Sequence, residues 1–391
     1  MPSNNKLQRA GGFIDAWRGG FSRYERHISA AAMLGGFVVD NFTFGRIDRP
    51  AANVVFCAYL LLAAASIALL HALQSRMDRR LEELPESGAA ETQSISDLRN
   101  TGRLHTILPA ASQFALGGLW SGFLVFYSRS AVFSASWPFL LVLTAVFVGN
   151  EVFRHYRSRL VFSGVLFFFA LYSYAIFVVP VLAGRIGNVV FLASGAAATV
   201  IFLLFLQVLN LVGRKRFKQS RLLLFSGAAA VLATMNLFYF TDVLPPLPLA
   251  LANAGVFHSV KRIGATYSAV AEPQPLTAMF NLSRPVLHVA PGQSLAVYSA
   301  VFAPIKLTTK IAHRWRWYDP NRKAWVQQSV VTFPISGGRA GGYRGYTIKS
   351  KPRAGAWRVD IDTEDGRLIG RVGFEVVTVS QPASTQEKTV Q

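Results

Sequence analysis

The sequence predicts a membrane bundle of about seven α-helical spans, followed by a small all-β domain resembling an immunoglobulin-like sandwich. Only 15% of the 391 residues are charged and 52% are hydrophobic, whereas soluble globular proteins carry about 25% charged residues. Apolar stretches of about 20 residues, long enough to cross a bilayer, recur between residues 28 and 244. From about residue 280 the pattern changes to short alternating segments separated by turn residues, which is typical of β-strands.

The predicted domain organisation follows these changes in pattern. It consists of a basic N-terminus, a transmembrane helical domain, a linker, a β-sandwich domain and a disordered tail, at residues 1–27, 28–244, 245–279, 280–378 and 379–391. The first segment has neither an apolar core nor a small-residue cleavage site, so a cleaved secretory signal is not predicted.

The seven predicted spans differ in how clearly the sequence supports them. They cover residues 28–44, 51–73, 106–127, 132–152, 160–183, 188–212 and 222–243. The first has an alternative interpretation as a re-entrant or interfacial segment, because it is short and contains Gly35, Gly36 and Asp40.

Lysine and arginine between the spans predict the orientation of the bundle. The N-terminus and every second loop contain 18 of these residues, and the intervening loops contain four. Positively charged loops stay in the cytoplasm. The sequence therefore predicts a cytoplasmic N-terminus and places everything after residue 244 on the opposite side of the membrane.

Five ionisable residues in or near the spans are candidates for function, because such groups are costly within a bilayer. Asp40, Arg129 and Asp242 map near the predicted outer face, where they form either an ion or proton entrance or interfacial pairs. Glu151 and His155 are spaced i,i+4 at the inner end of the fourth span, a spacing that suits a proton relay. Two residues do not make a metal site, and a polar cluster at the helix end is the simpler interpretation.

Seven strands are predicted in the C-terminal domain. They cover residues 285–290, 294–303, 307–318, 323–333, 343–350, 355–363 and 367–378. Strand alternation separates the tryptophans and arginines of "HRWRWYD". Trp315 and Trp317 point into the core, and Arg314 and Arg316 point to the opposite face. The same rule turns Trp357 inward.

Alternation also predicts an outward, solvated row in "AGAWRVDIDTEDG", formed by Arg358, Asp360 and Asp362. The predicted arrangement is a tryptophan core beneath a solvated charged face. An exposed aromatic platform for stacking ligands is the alternative.

Charge suggests what the C-terminal domain binds. From residue 245 onward there are 18 basic and eight acidic residues, which predicts an anionic neighbour: an anionic lipid, a glycan or an envelope protein. Nucleic acid is not expected as a partner of an exported domain. The predicted binding residues are Arg314, Arg316, Arg339 and Arg344. The glycine-rich stretch 336–345 is interpreted as a loop, because a phosphate cradle requires a following helix N-terminus.

Motifs for catalysis are absent from the sequence. It contains no G-x-S-x-G, no H-E-x-x-H and no acidic cluster suited to calcium. His258, His288 and His313 occur singly, which is typical of structural histidines. No metal or cofactor is predicted, and the sequence leans against an enzyme without excluding one built from distant residues.

Three C-terminal stretches resemble a known family. "HRWRWYD", "GGRAGGYRGYTIKSKP" and "AGAWRVDIDTEDGRLIGRVGFEVV" are similar to the bacterial domain-of-unknown-function family 2914 over roughly residues 280–378. The matching positions are Gly337, Gly338, Arg339, Gly355, Trp357, Val359, Ile361, Gly366, Leu368, Ile369 and Gly370. The multi-pass region often found with this domain is similar to residues 113–143. The resemblance implies a bacterial inner-membrane protein with a periplasmic β-sandwich, and it implies no activity or catalytic residue.

These observations favour a multi-pass membrane protein that presents a basic periplasmic module to an envelope partner. Two other classes stay open. One is a transporter or channel formed by the bundle. The other is a membrane-embedded enzyme acting on lipid-linked substrates, with Glu151 and His155 as base and partner.

Overall fold

The computed structural model describes residues 37–38, 40, 50–83, 94–130, 133–152, 159–264, 266–275, 284–305, 307–339 and 341–390. Within these ranges there are six long helices: α1 (Pro50–Glu83), α2 (Ser94–Ser130), α3 (Phe133–Val152), α4 (Leu160–Ala183), α5 (Asn188–Val212) and α6 (Arg214–Phe240). All except α3 are long and apolar enough to cross a membrane, and α3 contains a shorter apolar stretch, Ala135–Gly149.

The helices coincide with six of the seven predicted spans. The remaining prediction, 28–44, falls mostly outside the described residues, so seven crossings stay a prediction. Apolar side chains cover the outside of the helices, with Val189, Leu211 and Leu222 exposed by 76–84%. Water does not favour such a surface, and the helical half is therefore that of a membrane protein.

Stacked aromatic rings fill the interior of the bundle. Phe56 of α1 stacks on Phe123 of α2, with ring centroids 5.3 Å apart, and Phe123 in turn lies 6.2 Å from Phe177 of α4. Tyr127 of α2 meets the rings of Phe139 and Phe177 edge-on, each at 4.6 Å. These rings join four helices, since α3 contributes Phe139.

Eleven strands follow in the described part of the chain. They are β1 (Ala250–Phe257), β2 (Ser259–Ile263), β3 (Thr266–Ala271), β4 (Val286–Val289), β5 (Ser294–Phe302), β6 (Thr308–Asp319), β7 (Ala324–Ser336), β8 (Tyr343–Ser350), β9 (Gly355–Thr363), β10 (Leu368–Thr378) and β11 (Gln386–Val390). They form three sheets, ordered β1-β5-β8, β4-β10-β9-β6-β7 and β11-β3-β2. All pairs are antiparallel except β4 with β10.

The seven predicted strands coincide with β4 to β10. The segment predicted as a linker, 245–279, contains β1, β2 and β3, and the tail predicted as disordered contains β11. Pairing explains both differences: β1 lies along β5, and β11 along β3. Strand propensity depends strongly on such neighbours, and neither segment shows clear alternation.

An apolar core lies between the three-stranded β1-β5-β8 sheet and the five-stranded sheet. Trp315 and Trp357 are buried there, and Leu295 and Val297 of β5 pack against them from the other sheet. The prediction that the tryptophans of "HRWRWYD" point inward holds fully for Trp315, while Trp317 is half-buried. The C-terminal region is thus β-rich with a core shared by two sheets, and its assignment as an immunoglobulin-like sandwich stays a prediction.

Candidate functional site: an arginine face on the five-stranded sheet

The structure separates the four arginines predicted to bind. Arg314 and Arg316 lie on β6 of the five-stranded sheet. Arg344 lies on β8 of the other large sheet, and Arg339 follows β7 with its guanidinium 4.9 Å from the ring centre of Tyr343. The four predicted arginines therefore do not form one surface.

Two further arginines join the pair on β6. Arg358 on β9 lies opposite Arg316, and Arg371 on β10 lies opposite Asp360 of β9, which in turn lies opposite Arg314. Strand register thus collects four cations on the sheet face that points away from the tryptophan core. We define the arginine face as Arg314, Arg316, Arg358 and Arg371, together with Asp360 and Asp362.

Two carboxylates hold the four guanidinium groups. Arg314 Nε lies 2.7 Å from Asp362 Oδ2, and Arg371 Nε donates to Asp360 Oδ1 at 2.5 Å. The other oxygen of Asp360 has longer ion pairs, 3.5 Å to Arg316 Nε and 3.6 Å to Arg358 Nε. Four positive charges against two negative ones leave an excess of two on the arginine face.

The carboxylates are not the solvated row that alternation predicts. Asp360 and Asp362 are only 2% and 4% exposed, whereas the four arginine side chains retain 19–34% of their exposure. The arginines cover the acids, because long side chains can lie flat on a sheet and keep their head groups near water. The solvent-exposed part of the arginine face is therefore mainly guanidinium.

Burial changes the ionisation of this face. It raises the pKa of Asp362 to about 6, with repulsion from Asp360 acting in the same direction and Arg314 opposing both. Burial also lowers the pKa of Arg358 from its ordinary value, against the attraction of Asp360. The Nε atoms of Arg316 and Arg358 are buried without a hydrogen-bond partner among the described residues. The two more distant arginines are thus incompletely satisfied by the protein.

Aromatic side chains flank one end of the arginine face. The Arg358 guanidinium lies 4.6 Å from the ring centre of Trp325, which meets Tyr318 edge-on at 5.4 Å. Both rings are half-buried. Such stacking fixes the direction of the guanidinium and leaves its edge open to anions that accept two hydrogen bonds, such as carboxylate and phosphate.

A second polar cluster joins histidines that the sequence shows as isolated. Glu272, just after β3, lies 2.6 Å from His258 Nε2 through one carboxylate oxygen. Its other oxygen lies 2.8 Å from His288 Nδ1, and the backbone N–H of His288 also donates to the carboxylate. Burial acts to raise the pKa of Glu272, but the hydrogen bonds from His288 and His258 outweigh it and leave the pKa below its ordinary value. The cluster ties the small β11-β3-β2 sheet to β4.

The third histidine is structural, as predicted. His313 is fully buried between Ser299 Oγ at 2.8 Å and Thr347 Oγ1 at 2.9 Å, and Trp315 Nε1 donates to the same threonine oxygen. Burial lowers the pKa of His313 to about 4. Although serine and histidine are in contact here, no solvent reaches them. Among the described residues, no group of three or more histidine, cysteine or acidic side chains is arranged to hold a metal ion.

The predicted intramembrane polar residues that the structure describes have different surroundings. Ser121 of α2 donates to Asp40 at 2.5 Å, so this carboxylate is satisfied inside the bundle. Asp242 follows α6 and lies 4.0 Å from Arg367, and Arg129 lies in the last turn of α2. Glu151 belongs to the end of α3, while His155 lies outside the described residues. The proposed pairing of Glu151 with His155 therefore remains a prediction.

The glycine-rich stretch is a tightly packed loop. Gly337 and Gly338 donate backbone hydrogen bonds to Leu307 and Ala303. A Cβ at Gly337 would lie 1.6 Å from the carbonyl oxygen of Pro304. These glycines are thus explained by close backbone packing, in agreement with their interpretation as a loop.

Comparison with known proteins identifies the C-terminal region. Residues 308–376 match the family described as "Protein of unknown function (DUF2914)", which confirms the resemblance and covers β6 to most of β10, including the whole arginine face. A comparison with curated proteins finds no match. Among solved structures, the chain is similar to Pseudomonas fluorescens alkylpurine DNA glycosylase AlkC bound to DNA containing an abasic site analog. The identity is 11%, over 82% of this chain and 96% of that chain, but the TM-score is 0.20 and carries no argument.

Proposed function

We propose that this membrane protein presents its C-terminal domain as a binding module for an anionic partner, with the arginine face as the contact surface. The observation that carries the proposal is the excess of two positive charges among the six residues of the arginine face, whose two carboxylates are covered by the guanidinium groups. Guanidinium groups bind carboxylate, phosphate and sulfate through paired hydrogen bonds. Four of them on adjacent strands suit a ligand with repeated negative charges.

The proposed location is a bacterial inner membrane, with the N-terminus in the cytoplasm and the C-terminal domain in the periplasm. Contacts between helix ends support the underlying alternation. Arg216, at the start of α6, donates to Gln74 near the end of α1, so these two ends lie on the same side of the bundle. This is also the side rich in lysine and arginine, which stays in the cytoplasm.

Fusions of alkaline phosphatase test this orientation. The enzyme is active only when exported, and it should be active after residue 391 and inactive when inserted between residues 84 and 93. The first position keeps β11 intact, and the second avoids α2. The reverse pattern would place the arginine face in the cytoplasm and remove the basis for an envelope partner.

The binding proposal is tested by removing the two arginines that have the longest ion pairs. In Arg316→Gln with Arg358→Gln, Asp362 keeps Arg314 and Asp360 keeps Arg371, so neither buried carboxylate is left alone. The charge excess falls from two to zero. We expect the full-length double variant to elute from heparin, used as a general anionic polymer, at clearly lower salt than the native protein.

The matched control is Arg322→Gln with Lys323→Gln in the turn after β6. It removes the same charge from the same sheet at exposed positions outside the arginine face. Its elution should stay close to that of the native protein. Equal shifts in both pairs would mean that net charge, and not this surface, governs retention. An unchanged double variant would overturn the proposal.

The bundle supports a second candidate function, an ion or proton pathway. The supporting observation is that Asp40, a carboxylate among apolar helices, accepts a hydrogen bond from Ser121. Intramembrane acids often mark such pathways. Flux through liposomes containing the protein should then fall in Asp40→Asn. Equal flux in native and variant protein would assign Asp40 a structural role.

A further inference from the structure

A groove opens between the beginnings of α4 and α6, at the lysine- and arginine-rich end of the bundle. Its volume is about 800 Å³, and Gln74 of α1 lies among its lining residues. The mouth carries Arg159 and Arg216, and the walls below it are apolar, with Leu166 on α4 and Leu223 on α6. The groove therefore changes from cationic to apolar along its length.

The contacts of Arg216 hold its charge at the mouth. Its Nη1 donates to Gln74 Oε1 at 2.7 Å, and its Nε lies 3.3 Å from Asp78 Oδ2. The side chain is still 37% exposed, so the guanidinium is both held in one direction and accessible to a ligand. Arg159, immediately before α4, is exposed and adds a second positive charge to the same mouth.

The apolar walls extend the groove into the membrane. Leu223 lies seven positions after Arg216, and Leu166 lies seven positions after Arg159, a helical distance of about 10 Å on each side. A soluble phosphate would occupy the mouth and leave these walls exposed to water. A neutral lipid would cover the walls but would bring no negative charge to the two arginines of the mouth.

We infer that the groove binds an anionic phospholipid of the surrounding bilayer. Its phosphate lies between Arg159 and Arg216, and one acyl chain lies along the walls that α4 and α6 form. Charge complementarity identifies the head group, because basic pockets between helices favour acidic lipids. This inference is independent of the arginine face, which lies in the other domain.

Native mass spectrometry of the full-length protein in neutral detergent tests the inference. Phosphatidylglycerol should bind with at least tenfold higher affinity than phosphatidylcholine, since each basic residue contributes about a factor of five. In Arg159→Gln with Arg216→Gln, this preference should largely disappear. The control Lys218→Gln with Arg221→Gln removes the same charge from exposed positions that do not line the groove, and it should keep the preference.

A second pair of variants tests the groove without changing charge. Leu223→Trp should fill the groove and weaken binding of phosphatidylglycerol, whereas Leu222→Trp, at an exposed neighbouring position outside the groove, should not. Equal affinity for the two lipids would overturn the inference, as would equal effects within either pair of variants. Displacement of the lipid by millimolar inorganic phosphate would also overturn it, because the site would then be one for a soluble anion.

Discussion

Protonation of Asp362 should control how tightly the arginine face binds an anion. Burial raises the pKa of this carboxyl to about 6, so it is charged at pH 7.5 and largely neutral at pH 5. When charged, it lies 2.7 Å from Arg314 Nε and competes with any ligand for that guanidinium. Binding should therefore strengthen as the pH falls through about 6. Asp362→Asn should bind the anion at pH 7.5 as tightly as the native protein binds it at pH 5.

The expected size of the effect follows from Coulomb's law. A ligand anion on the outer side of Arg314 would lie roughly 7 Å from the carboxylate. One charge removed at that distance changes the binding free energy by between about 0.6 and 2.4 kcal/mol for effective dielectric constants of 80 and 20. Salt reduces the upper figure. We therefore expect about a three- to tenfold gain in affinity.

The assay is a titration of full-length protein with a fluorescent heparin fragment at pH 7.5 and pH 5. Glu364→Gln is the matched control. It removes the same charge just after the end of β9, where Glu364 forms an exposed ion pair with Lys310. If Asp362→Asn has the affinity of the native protein at pH 7.5 while its melting temperature is unchanged, Asp362 does not compete with the ligand for Arg314.

Three further predictions concern stability of the full-length protein, measured by thermal or denaturant unfolding. Glu272→Gln should cost about 1–3 kcal/mol at pH 7 by weakening two histidine contacts. Folding lowers the pKa of Glu272. The native protein should therefore lose this contribution to stability as the pH falls below about 4.5, whereas Glu272→Gln has no such contribution to lose. Trp357→Ala, at a position 1% exposed, should cost about 3–5 kcal/mol. Gly337→Ala would bring a Cβ against the carbonyl of Pro304 and should prevent normal folding of the loop, whereas Gly366→Ala, in open space with φ +91°, should cost roughly 1 kcal/mol.

The strands that the sequence predicts are those whose own residues show alternation and turn signals. β6 and β9 alternate large apolar and charged residues, and turn residues such as Asp319 and Gly366 mark the ends of strands. β1, with the sequence "ALANAGVF", contains small residues that resemble a loop. Its strand conformation comes from pairing with β5, a partner about 45 residues away that no local pattern reveals.

The candidate sites also contain some residues that local sequence patterns predict and others that only strand pairing brings together. Alternation assigns Arg314, Arg316 and Arg358 to one face of their strands, but only the register between strands places Arg371 beside them. Burial of Asp360 also depends on this register, because arginines from three strands cover it. No sequence pattern indicates the cluster around Glu272. His258, Glu272 and His288 come together only because of how the chain folds from β1 to β4.

The join between the two halves bears on which anionic partner the arginine face can reach. Arg367, immediately before β10, places its guanidinium 3.3 Å from the ring centre of Tyr239 and donates to the carbonyl oxygen of that residue at the end of α6. The β9–β10 turn is thus fixed at the membrane end of the domain. β9 ends at this turn with Thr363, and a rise of about 3.3 Å per residue places Asp362 roughly 3 Å and Arg358 roughly 17 Å from that end. Arg358 and its neighbour Arg316 therefore lie away from the end of the domain that contacts the helices, which favours an anionic polymer or an acidic protein over lipids of the anchoring bilayer.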